Sequence, residues 1–461
     1  MEAGNAGAAA RPPFWLLPAF LLAAAWLAWA FVDRPFHADE AGQWSLASEA
    51  APHSKTGDRF HGPTLGLLTR AAYAVAGADL AAATPSGLRA VPLAFGLSLL
   101  LIPWILPSRA VPGGLAASLA ILAAPASVRF IQEPLMVAAL AWAAALWLRS
   151  GESGATRFRA LAGLCAGFAL ACKITAAMHL CLAALAILVL RQTCPGWRGF
   201  AAFAVGAIGS WAIWQSSFLT DLPALGTWWS QLFRAFGVAS GVSEPPLPMG
   251  SPAPWLFTGG LLAAAVALRF LAPREGRAGK VLATDFLLLA AGLAYLVHLA
   301  LPYKTSWLTM GADILLLVLV LPSGLGLLGP RARRSSQAAA IVLVGLLAHP
   351  GRYDYVETRR DVPALASALL GEPASRPSLV LVQGDHVWPF PFYLRGLRVA
   401  YGAVPEAAQA DVWLLQATGP DAPSAPGRRA IPFAVRDNEL WWALAPEPMA
   451  RRIEDALRPL R

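Results

Sequence analysis

RPFHADEAGQW (34–44) sets two adjacent carboxylates, Asp39 and Glu40, directly behind an apolar run that ends near residue 32. Such a placement reads as a helix that crosses a membrane and delivers acid groups to its far face. Outward from it, the run at about 14–32 is the first of eleven. Others long enough, or nearly so, to cross ~30 Å of hydrocarbon lie at about 88–106, 111–128, 132–148, 158–172, 174–190, 199–217, 253–271, 281–301, 306–329 and 336–350. Several are short enough to need partner helices or local thinning of the bilayer. The pattern predicts a mainly α polytopic membrane protein with a bundle of about eleven transmembrane helices. Composition agrees: of 461 residues 57% are hydrophobic and 14% charged, where soluble domains carry about 25% charged residues. This composition disfavours a water-soluble enzyme, and the 18 Trp and 20 Phe exclude disorder, since they must be buried somewhere.

The net charge of +9 is topogenic. Residues 351–461 hold 13 basic and 13 acidic residues, so the whole excess lies in residues 1–350, between apolar runs. With a cytoplasmic N-terminus, 14 of these basic residues fall inside and 9 outside, the asymmetry a multi-pass protein of the cell membrane uses for orientation. No nucleic-acid partner is implied. Ala28-Trp29-Ala30 resembles a cleavage site, but the length of the first run favours an uncleaved anchor. Cys165, Cys172, Cys181 and Cys194 lie in or beside apolar runs without metal-ligand spacing and read as small hydrophobes.

Residues 1–350 therefore form a transmembrane domain with two long outer loops, near 33–87 and 218–252. The first half of the second loop suits a helix lying in the interface. Residues 351–461 read as a small extracytoplasmic α/β domain, with strands at 378–385, 395–402 and 410–417 and helices at 361–371 and 449–459.

The ionisable residues carry the chemistry. His37, Asp39, Glu40, Asp58, His61, Arg129, Glu133, Lys173 and Lys304 are far apart in sequence, yet this topology puts all of them at the outer face. Asp39 is read either as a general base or as the cap of the helix it opens, with Glu40 favouring the helix dipole. Adjacent carboxylates point to different faces of a helix, so only one faces a reacting centre. DRFHGPT (58–64) closes the same loop, with His61 a candidate ligand for a hydroxyl or phosphate. Arg129 and Glu133, four apart in SVRFIQEPLM (127–136), form either a helical ion pair or an anion ligand and a second acid. Lys173 and Lys304 are interfacial snorkelling lysines or, together with Arg129, the ligands of a lipid-carrier phosphate. Asp313 stays unassigned. Asp385, His386 and Trp388 follow a strand, where open α/β sheets place ligands, although a strand-end Asp is also an ordinary turn residue.

RPFHADEAGQW, HGPT (61–64), the RFxxE of 129–133, the Lys173 turn, LPYKTSWL (302–308) and YVETRRDVPAL (355–365) stand in an order that resembles the flippase-activity-associated membrane proteins. These belong to the glycosyltransferase family 39 and protein mannosyltransferase-like superfamily, and the resemblance covers most of the chain. It implies a GT-C fold and a polyprenyl-phosphate sugar donor. Two departures stand out: Glu133 occupies a position where many relatives have Asp, and Ile174 follows Lys173 where an acidic residue is usual.

The combined expectation is an inverting glycosyltransferase, a hexosyltransferase moving sugar from that lipid donor to an acceptor at the outer face. Asp39 and Glu40 are its catalytic candidates; His61, Arg129, Glu133, Lys173 and Lys304 bind substrate or phosphate. Asp39 and Glu133 are the candidate ligands should a divalent cation (Mg or Mn) take part. The alternative is a flippase or non-catalytic accessory for lipid-linked oligosaccharide. Neither the sugar nor the acceptor is legible in the sequence.

Overall fold

The computed structural model describes residues 34–49, 61–106, 131–190, 196–239, 252–271, 285–301, 306–326 and 358–460 apart from 386, 403, 405–407, 420, 437 and 438, with Arg129 and scattered positions in 18–32. Along these the chain forms α1 (Ala38–Glu49), α2 (Thr64–Ala76) and α3 (Pro85–Ser98), the last continued by tighter turns to Ile105. Next come α4 (Glu133–Ser153), α5 (Thr156–Cys172), α6 (Thr175–Val189), α7 (Trp197–Gln215), α8 (Pro223–Ala239), α9 (Ala253–Leu271) and α10 (Asp285–Ala300). α11 (Met310–Leu315) runs on through a π-helical turn, Leu316–Val320, to Gly326. Eight of the eleven apolar runs coincide with these helices; those at 111–128 and 336–350, and most of 14–32, lie outside the described residues. Pro85–Ile105 and Glu133–Gly151 are long and apolar enough by themselves to cross a membrane. About eleven crossings remains the expectation from sequence.

The chain divides into two compact units. The helical unit comprises Met1–Val32, Ala51–Ala72 and Arg89–Tyr355. Its helices pack through small residues, as lipid-embedded helices do where no hydrophobic force drives them together. Gly163 and Gly167 form a G-x-x-x-G step on α5, and a Cβ at either would lie 2.1 Å from a carbonyl oxygen of α7. Outward, Leu188, Trp197, Val205, Ile208, Leu256 and Phe270 are each more than 60% exposed. Water would penalise such bare apolar faces, whereas hydrocarbon does not. α8 is the helix expected in the second outer loop; Trp228 is buried while Trp229, Phe233 and Phe236 stand out from it.

The second unit comprises Asp33–Ala50, Tyr73–Leu88 and Val356–Arg461, so parts of the 33–87 segment, expected from sequence to be an outer loop, fold with the C-terminal residues. Its sheet has the order β2-β1-β3-β5-β4. β1 (Val380–Gln383), β2 (Val399–Tyr401) and β3 (Val412–Gln416) are parallel. β4 (Arg429–Arg436) and β5 (Glu439–Ala445) extend the sheet beyond β3 in antiparallel pairing. Central β1 buries Val380, Leu381 and Val382 on both faces, which is why it reads as a continuous apolar run. α12 (Asp361–Leu370) and α14 (Glu447–Leu457) pack against β4, and a single turn, α13 (Phe390–Tyr393), separates β1 from β2. The three expected strands and two expected helices are present, and β4 and β5 are additional.

Asp411, just before β3, accepts hydrogen bonds from the Ser378 hydroxyl (2.6 Å) and backbone N–H. The Ser378 hydroxyl holds the Asp411 carboxyl below its ordinary value, against a smaller desolvation effect, and nearby backbone N–H groups and Arg428 add to it. A carboxyl whose pKa is depressed on folding contributes stability above its unfolded pKa and loses it as pH falls through the folded value. The unfolding midpoint of the full chain should therefore fall with acidification below the ordinary carboxylate range. Asp411→Asn should be less stable at neutral pH and show a shallower acid loss; an unchanged slope would remove Asp411 from the acid response.

Candidate functional site

α1 carries the two carboxylates into different environments. His37 immediately precedes the helix, and its Nδ1 accepts the Asp39 backbone N–H at 3.1 Å. Glu40 Oε2 accepts the backbone N–H of His37 at 2.9 Å. This resembles a capping box with histidine in place of the usual Ser or Thr, its nitrogen accepting from the second rather than the third helical N–H. The N-cap is thus His37, where the capping reading of the sequence had Asp39. Glu40 is fully buried and engaged with the cap. The Asp39 side chain, one position earlier and on another face, is 47% exposed, its Oδ2 3.7 Å from His37 Nδ1.

In the helical unit three distant segments meet. Lys173 ends α5 in an extended conformation and pairs in antiparallel fashion with His61, while the Gly62 N–H donates to the Cys172 carbonyl at 2.8 Å. Here glycine is a steric requirement, since a Cβ on Gly62 would lie 1.6 Å from the Ala171 carbonyl oxygen. Gln132 fastens the third segment: its Nε2 donates to the Gly62 carbonyl at 2.8 Å and its Oε1 accepts from the Thr64 hydroxyl at 3.0 Å. Beside it, the Glu133 carboxylate forms an ion pair with the Lys173 ammonium, and His61 is a further electrostatic neighbour.

The helical Arg129–Glu133 pair is not formed. α4 starts only at Glu133, so the two residues share no helix, and Glu133 reaches Lys173 instead. Arg129 lies half-buried just before the helix. Sequence reasoning missed Gln132 and Thr64. The available signal was a long amide beside an acid at the mouth of an apolar helix, where a polar side chain is costly unless bonded. Lys304, Asp58 and His386 lie outside the described residues. Asp385 is exposed, with its N–H donating to Gln416 Oε1 at 2.7 Å.

Also in the helical unit, an apolar cavity of about 440 Å³ lies among α4, α6, α7, α10 and α11. Leu140, Trp147, Phe203 and Phe286 line it, and His179 is the one ionisable side chain among its described lining residues. Asp313, left unassigned from sequence, is fully buried and accepts hydrogen bonds from the hydroxyls of Thr258 (2.7 Å) and Thr309 (3.4 Å). Among the described residues no three His, Cys, Asp or Glu side chains converge as ligands of a metal ion.

No family model matches the chain, and no curated protein matches it in sequence. Solved structures do match in fold. ArnT from Cupriavidus metallidurans, bound to undecaprenyl phosphate, superposes with a TM-score of 0.60 at 14% identity, over 94% of this chain and 98% of that one. Its apo state gives 0.57 at 13% identity, over 93% and 98%. The apo oligosaccharyltransferase of Archaeoglobus fulgidus gives 0.51 at 12% identity, over 86% of this chain and 65% of that one. These neighbours are GT-C superfamily members, and the chain shares their fold.

Proposed function

We propose that the chain is an inverting glycosyltransferase that moves a sugar from a polyprenyl-phosphate donor to an acceptor hydroxyl at the outer membrane face. The observation that carries this reading is the likeness, over nearly the whole of both chains, to a protein solved with undecaprenyl phosphate bound. The apolar cavity suits the hydrocarbon chain of such a carrier. Asp39 takes the proton of the acceptor hydroxyl as its oxygen attacks the anomeric carbon. The bond from that carbon to the phosphate oxygen breaks, its electron pair leaves with the polyprenyl phosphate, and the configuration inverts. Glu40 fixes the start of the helix that carries the base. Arg129 and Lys304 stabilise charge developing on the leaving phosphate. Lys173, neutralised by Glu133, holds the HGPT segment in place. The reaction is a hexosyl transfer of the flippase-activity-associated kind, in a multi-pass protein with its N-terminus in the cytoplasm and residues 351–461 outside.

The test is transfer of label from a polyprenyl-phosphate sugar by purified protein in liposomes. Labelled glycoconjugate in the acceptor fraction supports the proposal. Scrambling of the labelled lipid between leaflets without transfer would replace it with a flippase.

Lys304 gives a second check. If its role is electrostatic, Lys304→Ala should lose on the order of 10²–10³ in transfer rate, as when one preorganised donor to developing charge is removed. Lys304→Arg should keep much of the activity. An alanine variant as fast as wild type would leave Lys304 a snorkelling residue and Arg129 the phosphate ligand.

A further inference from the structure

The α/β unit contains the helix that bears Asp39, and the manner of its docking is specific. Phe36, fully buried just before the cap, donates its backbone N–H to the Tyr393 hydroxyl at 2.7 Å. Its ring lies 4.4 Å from that of Phe392. About two turns further along, Trp44 meets Phe392 in a T-shaped contact at 5.2 Å. Its indole N–H donates to the Leu80 carbonyl at 3.2 Å. Arg395 closes the assembly. Its guanidinium stacks on Phe392 at 4.2 Å, stands 5.7 Å from Trp44, and donates to the Ala81 and Ala83 carbonyls at 2.8 and 2.7 Å.

α1 has 12 residues, and helices of this length are marginal in water without a packing partner. Its buried residues include Glu40, Ala41, Trp44 and Ala47, and Trp44 packs on Phe392. Asp39 is not among them. The aromatic clamp therefore fixes both the axial position and the rotation of α1, and with them the direction in which the Asp39 carboxylate points.

We infer that Phe392, Tyr393 and Arg395 are positioning residues for the Asp39 carboxylate, so that the C-terminal fold serves as the platform of the general base. This rests on the proposed role of Asp39. A base must be held to within about 0.5 Å and 10–20° of its productive geometry, and a 1 Å misplacement is worth about 10²-fold in rate.

The test uses the full-length protein with Tyr393→Phe, which deletes only a hydroxyl, and Phe392→Ala, which opens the clamp. Expected are kcat losses on the order of tenfold and 10²-fold, per folded molecule, with KM for the lipid donor unchanged. Hydrogen exchange over residues 38–49 should quicken in both variants. Wild-type kcat in both, alongside an inactive Asp39→Asn, would overturn the positioning role and leave the proposed reaction standing. Reduced yield with unchanged kcat per folded molecule would also overturn it, because the clamp would then be merely structural. Full transfer by Asp39→Asn would instead sink the reading beneath it, a result separable from either.

Discussion

Lys173→Met is expected to destabilise the helical unit by about 3–5 kcal/mol, the usual cost of removing one member of a buried ion pair. The pair is well sequestered: the Lys173 and Glu133 side chains are 10% and 5% exposed. Without the ammonium the Glu133 carboxylate keeps its desolvation penalty and loses its main counter-charge, and His61 compensates only in part. The loss should spread locally, because Lys173 and His61 are paired and Gln132, next to Glu133, holds Gly62 and Thr64. Replacing both partners, as in Lys173→Met with Glu133→Gln, should restore much of the stability, since the burial cost of the remaining charge is removed. Thermal unfolding in detergent reads both variants. A single Lys173→Met as stable as wild type would mean that the pair contributes nothing to the fold.

The interlock is where reading the sequence stops short. Apolar runs of about twenty residues identify helices because lipid tolerates little else, and the runs at 132–148, 158–172 and 253–271 fall on α4, α5 and α9. β1 and β3 were legible as short apolar runs, and they are indeed adjacent. β4 and β5 were not. RAIPFAVR carries a proline and charges at both ends, and ELWWALA has no period that separates strand from helix; their pairing with each other and with β3 defines them. Within the site, HADE was recognisable as a helix start, but the capping residue was misplaced because histidine is an unusual partner for Glu at the third helical position. The choice of Lys173 over Arg129 as the partner of Glu133 depends on where α4 begins, a boundary that pattern alone places only to within a few residues. The grouping of residues 33–50 and 73–88 with the C-terminal sheet rests on aromatic contacts and hydrogen bonds more than 300 residues apart in the chain, which no local pattern encodes.

Asp39→Asn should lower kcat by about 10²–10⁴, the range for loss of a positioned general base, while leaving the unfolding midpoint and donor KM close to wild type. The substitution is isosteric, the side chain is 47% exposed, and the backbone N–H bonded to His37 is unchanged. The neighbouring Glu40→Gln is expected to behave in the opposite way. Its carboxylate is buried and bonded to the His37 N–H, so an amide there weakens a charge-assisted bond and frays the start of α1. That variant should lose stability on the order of 1 kcal/mol and only part of its rate. The pair thus separates two carboxylates that sequence alone cannot tell apart. If Glu40→Gln were as inactive as Asp39→Asn yet fully stable, the base would be Glu40. Full transfer by both Asp39→Asn and Glu40→Gln would remove α1 from the chemistry altogether, since these two acids are the groups that give the start of this helix a part in the reaction.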